Sequence, residues 1–163
     1  MQKLITTLWC NHTAEEQGAF YASVLPDSRV EEVNRSPIDT PSGPEGQVLT
    51  VMMTIAGQEF CLLNGGPNFP QTEAVSFMIL TEDQAETDRL WDAIVGNGGQ
   101  ESACGWCKDK WGVSWQITPR RLLELSTDPD QAKAKRAMEA MMTMRKIDIA
   151  TIEGAATGET ADA

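Results

Sequence analysis

Two stretches 70 residues apart carry the same structural signals in the same order, and this constrains the fold more than any other feature of the 163-residue chain. In the first, a strand-like run from Leu4 to Cys10 leads into Thr13–Glu16, a capping-box pattern, and then an apolar stripe of Phe20, Tyr21, Val24 and Leu25. In the second, Ala74 to Leu80 leads into Thr81–Gln84, again a capping-box pattern, followed by Leu90, Trp91, Ile94 and Val95. A slide of 70 places Phe20 and Tyr21 on Leu90 and Trp91, and Thr6 on Ser76. Few identities support that register; the order of element types supports it.

Strands then follow each helix. Arg29 to Asn34, Val48 to Ile55 and Glu59 to Leu63 alternate or run apolar, with a hairpin around Ala56, Gly57 and Gln58. In the second half, Lys108–Lys110 forms a charged tight turn that feeds an alternating strand reaching Thr118. The expected organisation is two β-α-β-β-β modules, 1–67 and 68–119, meeting near Gly65, Gly66 and Pro67. Residues 36–47, with three prolines, form either a mobile flap or ordinary surface slack. Asp128, Pro129 and Gln131 start a helix whose stripe includes Met138, Met141 and Met142, within a helical segment 120–153. That face suits either a partner chain or the protein's own core. Residues 154–163 are small, polar and acidic, and are expected to be disordered.

Composition narrows the function classes. A net charge of -11 repels phosphate backbones and anionic lipid, so neither nucleic acid nor a membrane surface is an expected partner. No apolar run approaches the roughly 20 residues of a transmembrane helix, and the start of the chain is too short and strand-like for a signal peptide. A cytoplasmic location follows, in which the four cysteines are thiols.

Strand periodicity sorts the candidate site residues. If Gln116 faces a cavity, Ser114 and Thr118 do too, while Val113, Trp115 and Ile117 face the helices. On the other strands the expected inward sets are Ser76, Met78 and Leu80, and Thr6, Leu8 and Cys10. These groups either line a pocket for a small, largely apolar ligand with polar handles, or hydrogen-bond one another in a closed core. Cys104 and Cys107 form a C-x-x-C pair, but a turn and a strand follow it rather than a helix N-terminus, so redox chemistry is not expected. His12, the lone histidine, excludes multi-histidine metal motifs and reads as a surface or capping residue.

Several motifs together resemble one family: Leu8 and Trp9 before Thr13–Glu16, Leu63–Pro67, Ala74–Phe77, Cys104–Trp106, Lys108–Gln116, and the later segments Met138–Met141 and Lys146–Ile149. The chain is similar to the PhnB-like, or 3-demethylubiquinone-9 3-methyltransferase-like, family of the vicinal oxygen chelate (glyoxalase and bleomycin-resistance) superfamily. The resemblance implies an α+β fold of paired βαβββ modules, whose curved mixed sheets surround a cavity, and a homodimer. It also implies metal-ligand positions at Thr6, at Leu62 or Asn64, at Ser76 and at Gln116. Histidine and glutamate are missing there, and neutral donors hold divalent transition ions poorly, so no catalytic metal is expected. No glycine-rich loop follows the first strand to hold S-adenosylmethionine.

The expected function is binding of a small organic molecule by Thr6, Leu8, Asn64, Ser76, Met78, Ser114 and Gln116, without a cofactor. The first alternative is a metal-assisted enzyme of the glyoxalase and dioxygenase superfamily, a lyase, an isomerase or, as the label of the resembled family suggests, a 3-demethylubiquinone methyltransferase-like enzyme, with a weak Mg²⁺ or Mn²⁺ site. It would use Gln116 and Asn64, or Glu59 if a bulge reversed its strand's parity. The second is a dimeric interaction protein.

Overall fold

Both halves build a four-stranded sheet with one helix on one face, in the computed structural model, which describes residues 2–159. In the unit Met1–Gln71, β1 (Thr6–Cys10), α1 (Ala14–Val24), β2 (Arg29–Arg35), β3 (Val48–Ile55) and β4 (Gln58–Asn64) form a sheet of order β1-β4-β3-β2. In the unit Thr72–Ala163, β5 (Ser76–Thr81), α2 (Gln84–Gly96), β6 (Gln100–Glu101), β7 (Trp106–Lys108) and β8 (Ser114–Pro119) repeat that order as β5-β8-β7-β6. The strand pairs β1/β4 and β5/β8 are parallel and the remaining pairs antiparallel, so the duplication expected from the sequence holds strand for strand.

Residues 68–71 stay with the first unit rather than opening the second module. Phe69 packs edge-on against Trp9 with ring centroids 4.8 Å apart, and Gln71 Nε2 donates to the Trp9 carbonyl at 3.0 Å. The same indole explains Gly65, because a Cβ there would lie 2.2 Å from the ring. The 36–47 segment bonds to itself, through Ser36 N–H to the Gln47 carbonyl and Gly46 N–H to the Ser36 carbonyl, both at 2.8 Å.

One expected helix start holds and two are displaced. Thr13 stands at the N-cap of α1 but makes no side-chain cap; the Ala14 N–H donates instead to Asn64 Oδ1 at 3.0 Å. The cap of α2 is Asp83, accepting from Glu86 N–H, while the hydroxyl of Thr81 pairs with that of Thr87. Further on, Asp130 rather than Asp128 caps the helix that begins at Gln131.

The C-terminal segment is three helices, α3 (Arg120–Ser126), α4 (Gln131–Met141) and α5 (Ile149–Thr157). Leu122, Leu125, Ala137, Ile147, Ile152 and Ala156 bury one another, with Met141 and Met144 packed alongside, whereas Met138 and Met142 are exposed. The expectation of disorder from residue 154 is overturned as far as Thr157. Asp148 caps the start of α5, Gly158 ends it in a left-handed turn, and its small residues let it pack closely. Residues 160–163 of that expected tail lie outside the described residues.

These helices are tied to the second sheet by backbone bonds. Cys104 and Gly105 donate to the carbonyls of Met144 and Arg145 at 2.9 and 2.7 Å, and the Gln84 side chain bonds both the Ile147 carbonyl and the Ile149 N–H. Among the described residues no helix is long and apolar enough to cross a membrane.

Candidate functional site

The second sheet has a helix face and an open face, and its side chains divide as strand alternation requires. Trp115 and Ile117 are fully buried, Trp115 packs against Phe77 at 5.6 Å, and Thr81 bonds Thr87 of α2, which makes this the helix face. The opposite parity carries Ser76, Met78, Leu80, Ser114, Gln116 and Thr118. Gln116 Nε2 donates to Ser76 Oγ at 2.9 Å on the half-buried part of this open face, and Met78 is exposed. Ser114 is 1% exposed, and among the described residues its Oγ is the buried side-chain oxygen or nitrogen without a hydrogen-bond partner. A buried hydroxyl in that condition carries an unmet desolvation cost.

Register adds two residues that sequence reasoning left out. Trp106 stands opposite Gln116 and Lys108 opposite Ser114, so both share the open face. Lys108 Nζ forms an ion pair with Glu73, and that contact holds the Glu73 carboxyl below its usual range. The hairpin parity opposite Gln116 was the signal available in the sequence.

On the first sheet the expected parity is reversed. Cys10 Sγ contacts Gln17 Oε1 of α1 at 3.2 Å, a Cβ on Gly18 of α1 would touch Val51 and Leu62, and Asn64 bonds the first N–H of α1. Thr6, Leu8 and Cys10, in register with Phe60, Leu62 and Asn64, therefore belong to the helix face. Thr6 and Leu8 are not presented on the open face, and Asn64 is spent in the frame, its Nδ2 donating to the Val48 carbonyl at 2.9 Å.

The cause is one residue. The last residue of each first strand touches the fourth residue of its helix, but Cys10 to Gln17 is a step of seven and Thr81 to Thr87 a step of six. His12, at φ 60°, sits in the longer connection. A shift of 71 rather than 70 therefore relates the strands, and one residue of slip exchanges the two faces. The open face of the first sheet carries Thr7, Trp9, Glu59, Cys61 and Leu63, so Glu59 reaches it with no bulge in β4.

Asp109 is more than a charged turn residue. It is 4% exposed and its carboxylate accepts from the N–H groups of Trp111 and Val113 and from Trp115 Nε1, each at 3.0 Å. That fixes the hairpin presenting Lys108 and Ser114. The C-x-x-C cysteines have separate surroundings: Cys104 Sγ lies 3.7 Å from Met142 Sδ, whereas Cys107 is buried. Burial, with the Asp109 and Glu101 carboxylates adding to it, pushes the Cys107 thiol up to about 12. Burial also raises Cys61, against a hydrogen bond from Thr7.

The donor set does not fit a tightly held transition ion. On the second sheet the candidates are a hydroxyl already bonded to an amide N–H, and neither is anionic or an imidazole. Among the described residues no three His, Cys, Asp or Glu side chains cluster to hold one. A groove of about 590 Å³ opens between α4 and α5, but it is lined mainly by small residues. Its Arg136 is committed to the Ala155 and Ala156 carbonyls at the end of α5.

Paired sheets of this order define the vicinal oxygen chelate, or glyoxalase-like, fold. Residues 2–118 match the family described as 3-demethylubiquinone-9 3-methyltransferase, and the chain belongs to that family. A PhnB protein from Bacillus cereus is similar in structure, with 31% identity and a TM-score of 0.64 over 72% of this chain and 99% of that one. A Pseudomonas aeruginosa protein, 17% identical with a TM-score of 0.59, covers 73% of this chain and 98% of its own. A genomically encoded fosfomycin resistance protein from Listeria monocytogenes, 12% identical with a TM-score of 0.51, covers 73% and 93%. The last two speak for the fold alone. No curated protein matches the chain. The family match stops at 118, so the segments Met138–Met141 and Lys146–Ile149 included in the sequence resemblance lie beyond it.

Proposed function

We propose that the chain binds a small organic molecule on the open face of its second sheet, without a tightly held metal. Gln116, Ser76 and Ser114 supply polar contacts and Met78 an apolar one. Thr6, Leu8 and Asn64 leave the contact set, because they serve the helix face of the first sheet. The observation that carries this reading is the buried, unpartnered Ser114 hydroxyl on the same sheet face as a half-buried Gln116–Ser76 hydrogen bond. A closed structural core would satisfy that hydroxyl internally; a ligand surface leaves it for the guest.

Native mass spectrometry of protein incubated with a metabolite extract tests the reading. One molecule bound per site, and lost in Gln116→Leu, is the expected result. Full retention by that variant would remove Gln116 from the site. Stoichiometric Mg²⁺ or Mn²⁺ surviving dialysis in the parent protein and absent from Gln116→Leu would replace this reading with metal-assisted chemistry.

A further inference from the structure

The register of β5, β8 and β7 sorts the open face into two chemically different rows. One row, running across the strands, is Met78, Gln116 and Trp106; the next is Ser76, Ser114 and Lys108. Two residues along a strand separate them, roughly 7 Å. The first offers a thioether, an amide and an indole. The second offers hydroxyls and an ammonium.

From this arrangement, and resting on the reading above, we infer that the ligand is a small organic acid, its carboxylate held by Lys108 Nζ and Ser114 Oγ and its phenyl-sized body laid over Trp106 and Met78. Three observations support it. The Lys108 side chain is 33% exposed, so most of it is withdrawn from water while its charge still requires an anion. The anion it now has, Glu73, is 59% exposed on the segment leading into β5, and pairs of that kind are weak enough for a guest carboxylate to replace. Beside Lys108, the hydroxyl of Ser114 has a donor to spare, and a hydroxyl bond to an ionised oxygen is stronger than one to a neutral group.

The test uses phenylacetate and its neutral isostere phenylacetamide, titrated into ¹⁵N-labelled full-length protein. Phenylacetate is expected to bind at least tenfold more tightly, with the largest amide shifts at Trp106–Lys108 and Ser114–Gln116. In Lys108→Met that advantage disappears while phenylacetamide is unaffected, and in Glu73→Gln phenylacetate tightens severalfold because its competitor is gone. The Glu73 variant changes only an exposed side chain and its effect has the opposite sign, so impaired folding cannot imitate it. Equal affinity for the two probes, or no response to Lys108→Met, would overturn the acid assignment. The sheet-face reading would survive that result if the shifts still mapped to β7 and β8 and vanished in Gln116→Leu. Shifts mapping elsewhere, or none with either probe, would overturn both.

Discussion

The two sheets use an amide on the corresponding strand of their parallel pairs for different purposes. Asn64 on β4 turns toward α1, accepts the first helical N–H and donates to the Val48 carbonyl, so both ends of its amide are buried in the frame. Gln116 on β8 turns away from α2 and bonds only Ser76 among the hydrogen bonds observed, on a surface water can reach. One amide assembles its module and the other stays half-buried, bonded to a single hydroxyl. The difference traces to strand parity: Asn64 is in register with Cys10, whose side chain meets α1, whereas Gln116 is in register with Met78 on the side of its sheet away from α2.

The two amides should then separate on substitution. Asn64→Ala leaves a helix N–H and a strand carbonyl without partners inside the protein and should cost about 3 kcal/mol. Gln116→Leu should change stability by less than about 1 kcal/mol, because Ser76 can turn to water. Equal costs would mean that both amides are structural.

Thiols sharpen the same contrast. The Cys107 thiol, raised from 9.0 to about 12, favours the folded state fully below pH 9, and that contribution is lost as pH rises through the folded value. At pH 10 the loss is roughly 1 kcal/mol, and Cys107→Ala should flatten the alkaline limb of the stability curve. The same substitution at Cys61, on the half-buried open face of the first sheet, should flatten it less.

The smallest expected change has the opposite sign. Ser114→Ala removes an unpaired buried hydroxyl and should stabilise the ligand-free protein by about 1 kcal/mol, raising its Tm while weakening acid binding. A fall in Tm would show that the hydroxyl is satisfied in solution.

The second module was legible because its strand alternates cleanly through Ser114, Gln116 and Thr118, so one correct facing fixed the rest. The first module was misread because neither the helices nor Phe20 and Tyr21 record the length of the turn that precedes them. The left-handed backbone at His12 leaves no mark in composition. Helix starts were legible to within two residues, since the observed caps Asp83 and Asp130 are capping residue types standing two positions after Thr81 and Asp128. Nothing in the pattern around Asp109 distinguished a solvated charge from a carboxylate holding three N–H groups. That depends on Trp115 being folded back over the turn. Residues 154–157 were misjudged because small side chains signal slack in an isolated peptide and close approach in a packed one.

The bond pair from Cys104 and Gly105 to the Met144 and Arg145 carbonyls has a practical outcome for anyone trimming this protein to its family core. A fragment ending at 118 would strip two main-chain donors and the Gln84 amide of their acceptors and bare the socket where Ile147 sits. Such a fragment would be a sticky, self-associating species, and the severed helices supplied in trans would be its natural remedy.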